Sequence, residues 1–363
     1  MDTNGKLLST DRTWEVIKNY NIGLDFGFLD NRLTGTAELF WKKCNNMLID
    51  VTYPGTLGDK APTANRGSFK ANGWEGTINW SDKIGEISYH LGGTFTYTTN
   101  KLVDNGGDAV IKSGVVSNRE GYPLNSVFGL KYCGKIQTQD QLDKYINQYA
   151  NGNNNIAMPG NLRLGDNMYE DVNKDGKLTE ADYVYLGTDD PKVSFSFNAG
   201  LSWKGFDVSV IFQGAGKRTV WRGGENNQKG KNDNWRIPMM SWYNNSTNQS
   251  VGNVWSAETP NAHYPTYTHQ TQINLYNYIC SSWSVEDGAY LRLKNVTLGY
   301  TFPANVLSKT KFISYARIYV SGADLWENSK IKDGWDPEAS RKVETFGRYP
   351  FTRNLTVGLN LTF

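Results

Sequence analysis

The sequence predicts an all-β fold in the form of a transmembrane antiparallel β-barrel with long extracellular loops. Apolar and polar residues alternate with a period of two in about nine segments, each long enough to cross a bilayer as a tilted strand. The links between these segments are alternately short and long, as in outer-membrane barrels. Aromatic residues make up 13% of the chain, and several lie near segment ends, where interfacial girdles are found.

Each segment presents one apolar face and one polar face, as in residues 20–28, where Ile22, Leu24 and Phe26 are separated by glycine or polar residues. The predicted strands cover residues 20–28, 33–41, 74–80, 87–98, 193–203, 206–212, 295–302, 316–320 and 355–363. Short turns join them in pairs, and long links follow the second, fourth, sixth and eighth. The aromatic residues expected at the membrane interfaces are Trp41, Trp74, Trp80, Tyr97, Trp203, Tyr300 and Phe363.

About nine strands cannot close around polar side chains by themselves, because bacterial barrels normally have an even number of strands and an open edge in lipid leaves backbone groups unpaired. The residues after Met1 are polar, so no signal peptide is expected there. Both observations predict that the chain is the C-terminal portion of a longer barrel.

The last predicted strand matches the barrel-assembly signal of outer-membrane proteins. A polar residue is followed two positions later by glycine, and then by alternating apolar residues that end in an aromatic one. The four residues are Thr356, Gly358, Leu361 and Phe363. We expect recognition by the barrel-assembly machinery, although the last strand of any barrel has a similar pattern because its lipid face requires one.

Composition argues against several other classes of protein. The net charge is only +2 and no basic run occurs, so nucleic-acid binding has no support. Cys44, Cys133 and Cys280 are far apart, so at most one disulfide, of unspecified pairing, can form within the chain. Ile211 and Arg218 occupy positions where a phosphate-binding loop needs Gly and Ser or Thr, and no nucleophile or zinc-protease motif occurs. We therefore expect no enzymatic activity.

The link predicted at residues 102–190 contains a short helix and a calcium-type loop. Thr138 and Gln141 have the spacing of a helix capping box. The loop has the D-x-[DN]-x-[DN]-G spacing, with Gly176 at the sharp turn and Asp182 at the twelfth position. The expected ligands of a structural Ca²⁺ are Asp171, Asn173, Asp175, Lys177 through its carbonyl, and Asp182, with Thr179 direct or through water. The alternative interpretation is a cluster of Asx turns in a polar loop.

The link predicted at residues 214–288 is rich in aromatic and amide side chains. They are Trp221, Trp235, Trp242, Trp255, Trp283, Tyr243, Tyr264, Tyr267, Tyr276 and Tyr278, with many Asn and Gln. Aromatic rings stack on sugars and amides bind hydroxyl groups, but long loops also pack through their own aromatic residues. His263 and His269 have no third metal ligand nearby in the sequence. No single residue is therefore predicted to contact a ligand.

Six segments and the last strand resemble one family in order along the chain. They are residues 13–31 (TWEVIKNYNIGLDFGFLDN), 121–134 (GYPLNSVFGLKYCG), 164–182 (LGDNMYEDVNKDGKLTEAD), 204–214 (KGFDVSVIFQG), 285–300 (VEDGAYLRLKNVTLGY), 333–338 (DGWDPE) and 355–363. The chain resembles the SusC/RagA-type TonB-dependent transporters of the Bacteroidetes outer membrane.

The resemblance implies a barrel of about 22 strands, of which this chain would supply the last nine. It also implies that the part outside this chain includes an N-terminal plug domain, which is absent here. It implies import of an oligosaccharide or peptide ligand through the bacterial cell outer membrane, with outer-membrane lipid around the wall. It further implies a SusD-like surface lipoprotein as a lid, and the TonB–ExbB–ExbD complex acting through the missing N-terminal part. The rival interpretations are a secreted, calcium-stabilised β-protein that binds or degrades polysaccharide, and a passive porin.

Overall fold

The structure is a computed structural model that describes residues 12–49, 64–105, 116–149, 161–221, 252–268, 270–310, 312–331, 336–338 and 351–363. The strands are β1 (Val16–Phe28), β2 (Leu33–Ile49), β3 (Ala64–Ile84), β4 (Ile87–Asn105), β5 (Val116–Ser117), β6 (Ser126–Gly129), β7 (Tyr132–Lys135), β8 (Asn167–Tyr169), β9 (Val184–Thr188), β10 (Val193–Trp203), β11 (Phe206–Ala215), β12 (Thr219–Val220), β13 (Glu286–Asp287), β14 (Tyr290–Thr301), β15 (Tyr315–Ser329) and β16 (Asn354–Thr362). The helices are α1 (Gln139–Tyr149), α2 (Thr271–Asn277) and α3 (Ala304–Leu307), with 3₁₀ turns at Glu180–Asp182 and Ser308–Thr310.

One antiparallel sheet of nine strands dominates the molecule. Its spatial order, β1-β2-β3-β4-β10-β11-β14-β15-β16, follows the order in the chain. The predicted all-β fold and the predicted set of strands are therefore confirmed. Within the described residues, β1 and β16 form the two edges of this sheet.

Tight turns connect several strands at one end of the sheet. The turn between β10 and β11 has only two residues, Lys204 and Gly205, and both have positive φ, at 48° and 86°. Two positive φ values define the hairpin turn whose twist matches that of the flanking strands, and this conformation favours glycine. Gly205 is also needed for space, because a Cβ there would approach the carbonyl oxygen of Thr301.

Most strands extend further toward the long links than the alternation predicts. β2 continues to Ile49, β4 to Asn105 and β15 to Ser329, and β3 begins at Ala64. The alternation fades there because polar residues occupy both faces. The long links consequently begin later than predicted, at residues 106 and 216.

The aromatic girdle is only partly placed as predicted. Trp203, Tyr300 and Phe363 lie at or beside strand ends. In contrast, Trp41, Trp74, Trp80 and Tyr97 lie inside strands that are longer than the prediction.

The apolar face of the sheet is exposed over its whole width. Leu201, Val208, Leu298, Val320 and Val357 are consecutive cross-strand partners in β10, β11, β14, β15 and β16. All five side chains are exposed. An apolar surface of this extent is rare on a soluble monomer and indicates contact with another apolar phase.

The hydrophobic core lies in the long links instead of against the sheet. It contains Phe128, Leu130, Ile136, Leu142, Tyr145, Tyr149, Leu162, Tyr169, Leu178, Tyr183 and Tyr276. The predicted helix is present as α1, and Thr138 Oγ1 accepts the N–H of Gln141 at 3.3 Å. The reciprocal half of the capping box differs, because Gln141 Oε1 accepts the N–H of Gln137 at 2.8 Å.

No helix in the described ranges is long and apolar enough to cross a membrane. None of the three cysteines forms a disulfide: Cys44 and Cys280 are buried and Cys133 is exposed.

Candidate functional site

Hydroxyl groups line the polar face of the nine-stranded sheet in cross-strand pairs. The pairs are Thr36–Thr77 with oxygens 2.8 Å apart, Thr94–Ser196 at 2.7 Å and Thr297–Ser321 at 2.9 Å. A hydroxyl group both donates and accepts hydrogen bonds. This face therefore suits water and neutral polar ligands.

An ion pair crosses the polar face between two strands that are not adjacent. Arg317 of β15 donates to Asp207 of β11 through Nε at 3.0 Å and Nη2 at 2.5 Å, which is a bidentate geometry. The pair passes over Gly299 of β14, where a Cβ would overlap both side chains. Glycine is therefore required at that position. Arg317 also lies over the ring of Tyr319, 5.1 Å from its centroid.

A buried arginine forms a larger charged network near the long-link end of β14. Arg292 is fully buried, and its guanidinium donates to Glu327 of β15 through Nε at 2.8 Å and to Asp336 through Nη2 at 2.8 Å. Its Nη1 lies 3.2 Å from Oε1 of Glu338. Phe351 covers the guanidinium, with its ring centroid 4.1 Å away. One cation therefore contacts three carboxylates, one from β15 and two from the link that follows β15.

A β-bulge brings a second cation to the same network. The register of β14 against β11 shifts between Leu293 and Asn295, so Lys294 occupies the bulge. Its Nζ lies 3.1 Å from Asp324 Oδ1 and 3.1 Å from Glu338 Oε2. Asp324 has φ +56°, an uncommon value for a residue other than glycine. Bulges re-aim side chains, and this one directs Lys294 toward the carboxylates.

Sequence reasoning missed this network, although two segments used for the family resemblance supply most of it. Segment 285–300 contributes Arg292 and Lys294, and segment 333–338 contributes Asp336 and Glu338. The available signal was two cations within an otherwise alternating strand. The sequence alone does not show which distant carboxylates they meet.

The predicted cation loop forms a tight turn. Asp171 accepts the N–H of Gly176 at 2.8 Å, and Asp182 accepts those of Val172 at 2.9 Å and Thr179 at 2.8 Å. Gly176 has φ +79°, which agrees with its predicted place in the sharp turn. The five predicted ligand residues thus lie in one compact segment.

The oxygens of this loop are engaged by its own N–H groups. Asp175 Oδ1 accepts the N–H of Lys177 at 2.8 Å, and Asn173 Oδ1 accepts that of Asp175 at 2.9 Å. Within the described ranges, no three His, Cys, Asp or Glu side chains are gathered closely enough to hold a metal ion. Coordination of Ca²⁺ would therefore need Asp171, Asp175 and Asp182 to move together. The Asx-turn alternative accounts for the bonds present.

A buried polar network joins the two longest links. Asn277 Nδ2 donates to Asp166 Oδ1 at 2.8 Å, and Asn167 donates its N–H to Asn277 Oδ1 at 2.8 Å. All three residues are buried. Burial raises the pKa of the Asp166 carboxyl, while hydrogen bonds from Asn277 and the backbone N–H of Arg163 favour its charged form.

Tyrosines extend this network to the cation loop. The hydroxyls of Tyr145 and Tyr276 are 2.6 Å apart, and the Tyr169 N–H donates to Tyr145 at 2.9 Å. Burial raises the pKa of Tyr149 to about 12. Leu178 of the cation loop packs in the same core as Tyr149 and Tyr276. The cation loop is therefore anchored to α1 and to the second long link.

The described aromatic residues of the second long link are mostly engaged in packing. Trp221 and Tyr276 are buried. Trp255 Nε1 donates to Gln137 at 2.8 Å, and the ring of Trp283 lies 5.3 Å from that of His263. Burial also lowers the pKa of His263. Trp235, Trp242, Tyr243 and His269 lie outside the described residues.

The predicted barrel-assembly residues lie on the edge strand β16 and at its end. Packing accounts for glycine at position 358, because a Cβ there would overlap the ring of Tyr319 on β15. Phe363 is exposed and stacks on Phe312 with centroids 6.3 Å apart. Thr356 and Leu361 pair with Ser321 and Ala316.

No family model matches the chain. Several relatives match nearly its whole length. TonB-dependent receptor P26 of Formosa agariphila is 27% identical over 382 residues, covering 99% of this chain and 36% of the relative. TonB-dependent receptor SusC of Bacteroides thetaiotaomicron is 23% identical over 376 residues, covering 99% of this chain and 33% of SusC. The chain thus spans about a third of the length of these relatives.

Solved structures share the fold. The RagAB peptide importer in its open-open state matches with a TM-score of 0.73 at 20% identity, covering 97% of this chain and 35% of that one. Its closed-closed state matches with a TM-score of 0.71.

Proposed function

This chain is a homologue of the SusC-type TonB-dependent receptors over nearly its whole length, and on that premise we propose that it forms wall and outer loops of an importer in the bacterial outer membrane. The observation that carries the proposal is the separation of faces in the nine-stranded sheet. One face is apolar and exposed across neighbouring strands, and the other carries hydroxyl and ion pairs. A sheet of this kind fits between lipid and an aqueous lumen.

The proposed ligand is an oligosaccharide or a peptide. Hydroxyl and charged side chains on the polar face offer hydrogen bonds to either class. The two long links pack together at one end of the sheet, and we expect ligand specificity to depend on them. A SusD-like lipoprotein as a lid, and TonB–ExbB–ExbD as the source of energy, complete the proposal.

Uptake in cells tests this function. Labelled oligosaccharide and peptide pools are supplied to cells that express the full-length protein carrying this chain. We expect uptake of one class that stops when TonB is deleted. Uptake that continues without TonB would indicate a passive porin, and recovery of the protein in the soluble extracellular fraction would favour the secreted polysaccharide-binding alternative.

Calcium binding at the loop of residues 171–182 is a separate proposal, supported by the preformed turn at Gly176 and by the carboxylate spacing. We expect Ca²⁺ to protect the first long link from proteolysis, and Asp171→Asn to abolish this effect. Lys174→Gln, at a residue outside the expected ligands, is the control. Equal protection in the Asp171→Asn variant, or none in the wild type with Ca²⁺ at millimolar concentration, would show that the loop is only a turn cluster.

Recognition of β16 by the barrel-assembly machinery is likewise proposed. Its support is the pattern of Thr356, Gly358, Leu361 and Phe363 along β16 and at its end.

A further inference from the structure

Four lysines lie side by side on the apolar face of the sheet. Lys18 of β1, Lys43 of β2, Lys70 of β3 and Lys101 of β4 are consecutive partners in the antiparallel register. Directly opposite residues point to the same face, with Cβ atoms about 5 Å apart. The four therefore form one transverse row, here named the lysine ladder.

The lysine ladder lies just beyond the apolar band. Two residues further along β1 and β2, toward the short turn, are the partners Tyr20 and Trp41, followed by the partners Ile22 and Leu39. All four of these side chains are exposed. The order of aliphatic, aromatic and cationic rows is that of a strand passing from hydrocarbon into the headgroup region. The ladder is at the end of the strands that carries the long links.

Within the described residues, no carboxylate forms an ion pair with the lysine ladder. Asp104, which pairs with Ser68, lies one row further toward the long links. All four lysines are exposed, and within the described part of the chain none of them takes part in a hydrogen bond or ion pair. The carboxylate of Glu15 near the start of β1 accepts the N–H of Leu48 at 2.8 Å. Like charges directly opposite one another destabilise a sheet, so a bound external anion would stabilise this arrangement.

We propose that the lysine ladder binds the phosphate groups of an anionic lipid in the outer leaflet. This inference rests on the proposed function, because it requires the apolar face to contact a bilayer. Four adjacent strands span about 15 Å, which suits a headgroup with two phosphates better than a single one. Each ammonium can donate up to three hydrogen bonds to phosphate oxygens. The aromatic row beneath would hold the lipid at the depth of the headgroup.

Native mass spectrometry of the full-length protein in detergent tests the proposal. The probe is synthetic lipid A, which carries two phosphates, and its dephosphorylated form is the lipid control. Lys43→Gln/Lys70→Gln removes the two central charges. Lys83→Gln/Lys309→Gln removes two charges from exposed lysines near the short-turn end of the sheet. We expect affinity for lipid A to fall about thirtyfold in the first variant, at roughly fivefold per lysine, and to stay unchanged in the second.

Wild-type affinity in the Lys43→Gln/Lys70→Gln variant, or an equal loss in both double variants, would overturn the proposal. Displacement of lipid A by millimolar inorganic phosphate would also overturn it, because the ladder would then be a site for free phosphate. If the protein fractionates with the membrane but gives any of these results, only the proposed lipid binding by the lysine ladder is refuted. If the protein is absent from the membrane fraction, the proposed function is refuted as well.

Discussion

Replacing Arg292 by alanine is expected to destabilise the folded protein by about 3–5 kcal/mol. The substitution removes the cation that contacts Glu327, Asp336 and Glu338 and leaves these carboxylates close together. Urea unfolding in detergent micelles, followed by tryptophan fluorescence, measures the change. Protease cleavage near residues 336–338 should accelerate in the same variant, because these residues lose their contact with β14.

Two further variants make this result specific. Arg32→Ala breaks the ion pair with Asp82, in which Arg32 Nη1 lies 3.3 Å from Asp82 Oδ2. The Arg32 side chain is 45% exposed. A loss of less than about 1 kcal/mol is expected there, as for other surface pairs. Arg292→Lys keeps the charge but not the planar fork, so an intermediate loss is expected. A change at Arg292 no larger than that at Arg32 would show that the network adds nothing to stability.

Placing an arginine at Leu298 is expected to cost about 2–4 kcal/mol in a bilayer. Leu298 lies in the middle of the row of exposed apolar side chains, between Val208 and Val320. If this row faces lipid, the charge has no favourable partner there. Refolding into lipid vesicles with urea titration measures the loss.

Ser209→Arg is the matched control for Leu298→Arg. Ser209 follows Val208 on β11 and pairs with Thr297, so it lies on the polar face. A change within about 1 kcal/mol is expected there, because lumen-facing substitutions alter selectivity more than stability. Equal losses at the two positions would mean that the faces do not differ in environment.

The fold was predictable because one local rule decides it. Alternation between apolar and polar residues identified all nine strands, and residues 193–203 match β10 at both ends. The rule works only where one face meets an apolar phase. It therefore failed for the outer part of β3, where Lys70 and Asn72 share the face of Trp74, and the strand is longer than predicted.

The candidate sites were less predictable because they depend on contacts between distant segments. The spacing of Asp171 and Gly176 revealed the turn of the cation loop, since that turn is local. Neither spacing nor propensity indicates that Arg292 meets Asp336, 44 residues away. The lysine ladder likewise exists only in the register of four strands.

We expect one face of the sheet to meet lipid and the other to meet water. Single cysteines at Leu298 and Ser209 test this in reconstituted bilayers. They carry a fluorescent label in a background in which Cys44, Cys133 and Cys280 are replaced by serine. We expect brominated lipid to quench the label at position 298 and aqueous iodide to quench it at position 209. Strong iodide quenching at both positions, with no effect of brominated lipid, would contradict this expectation.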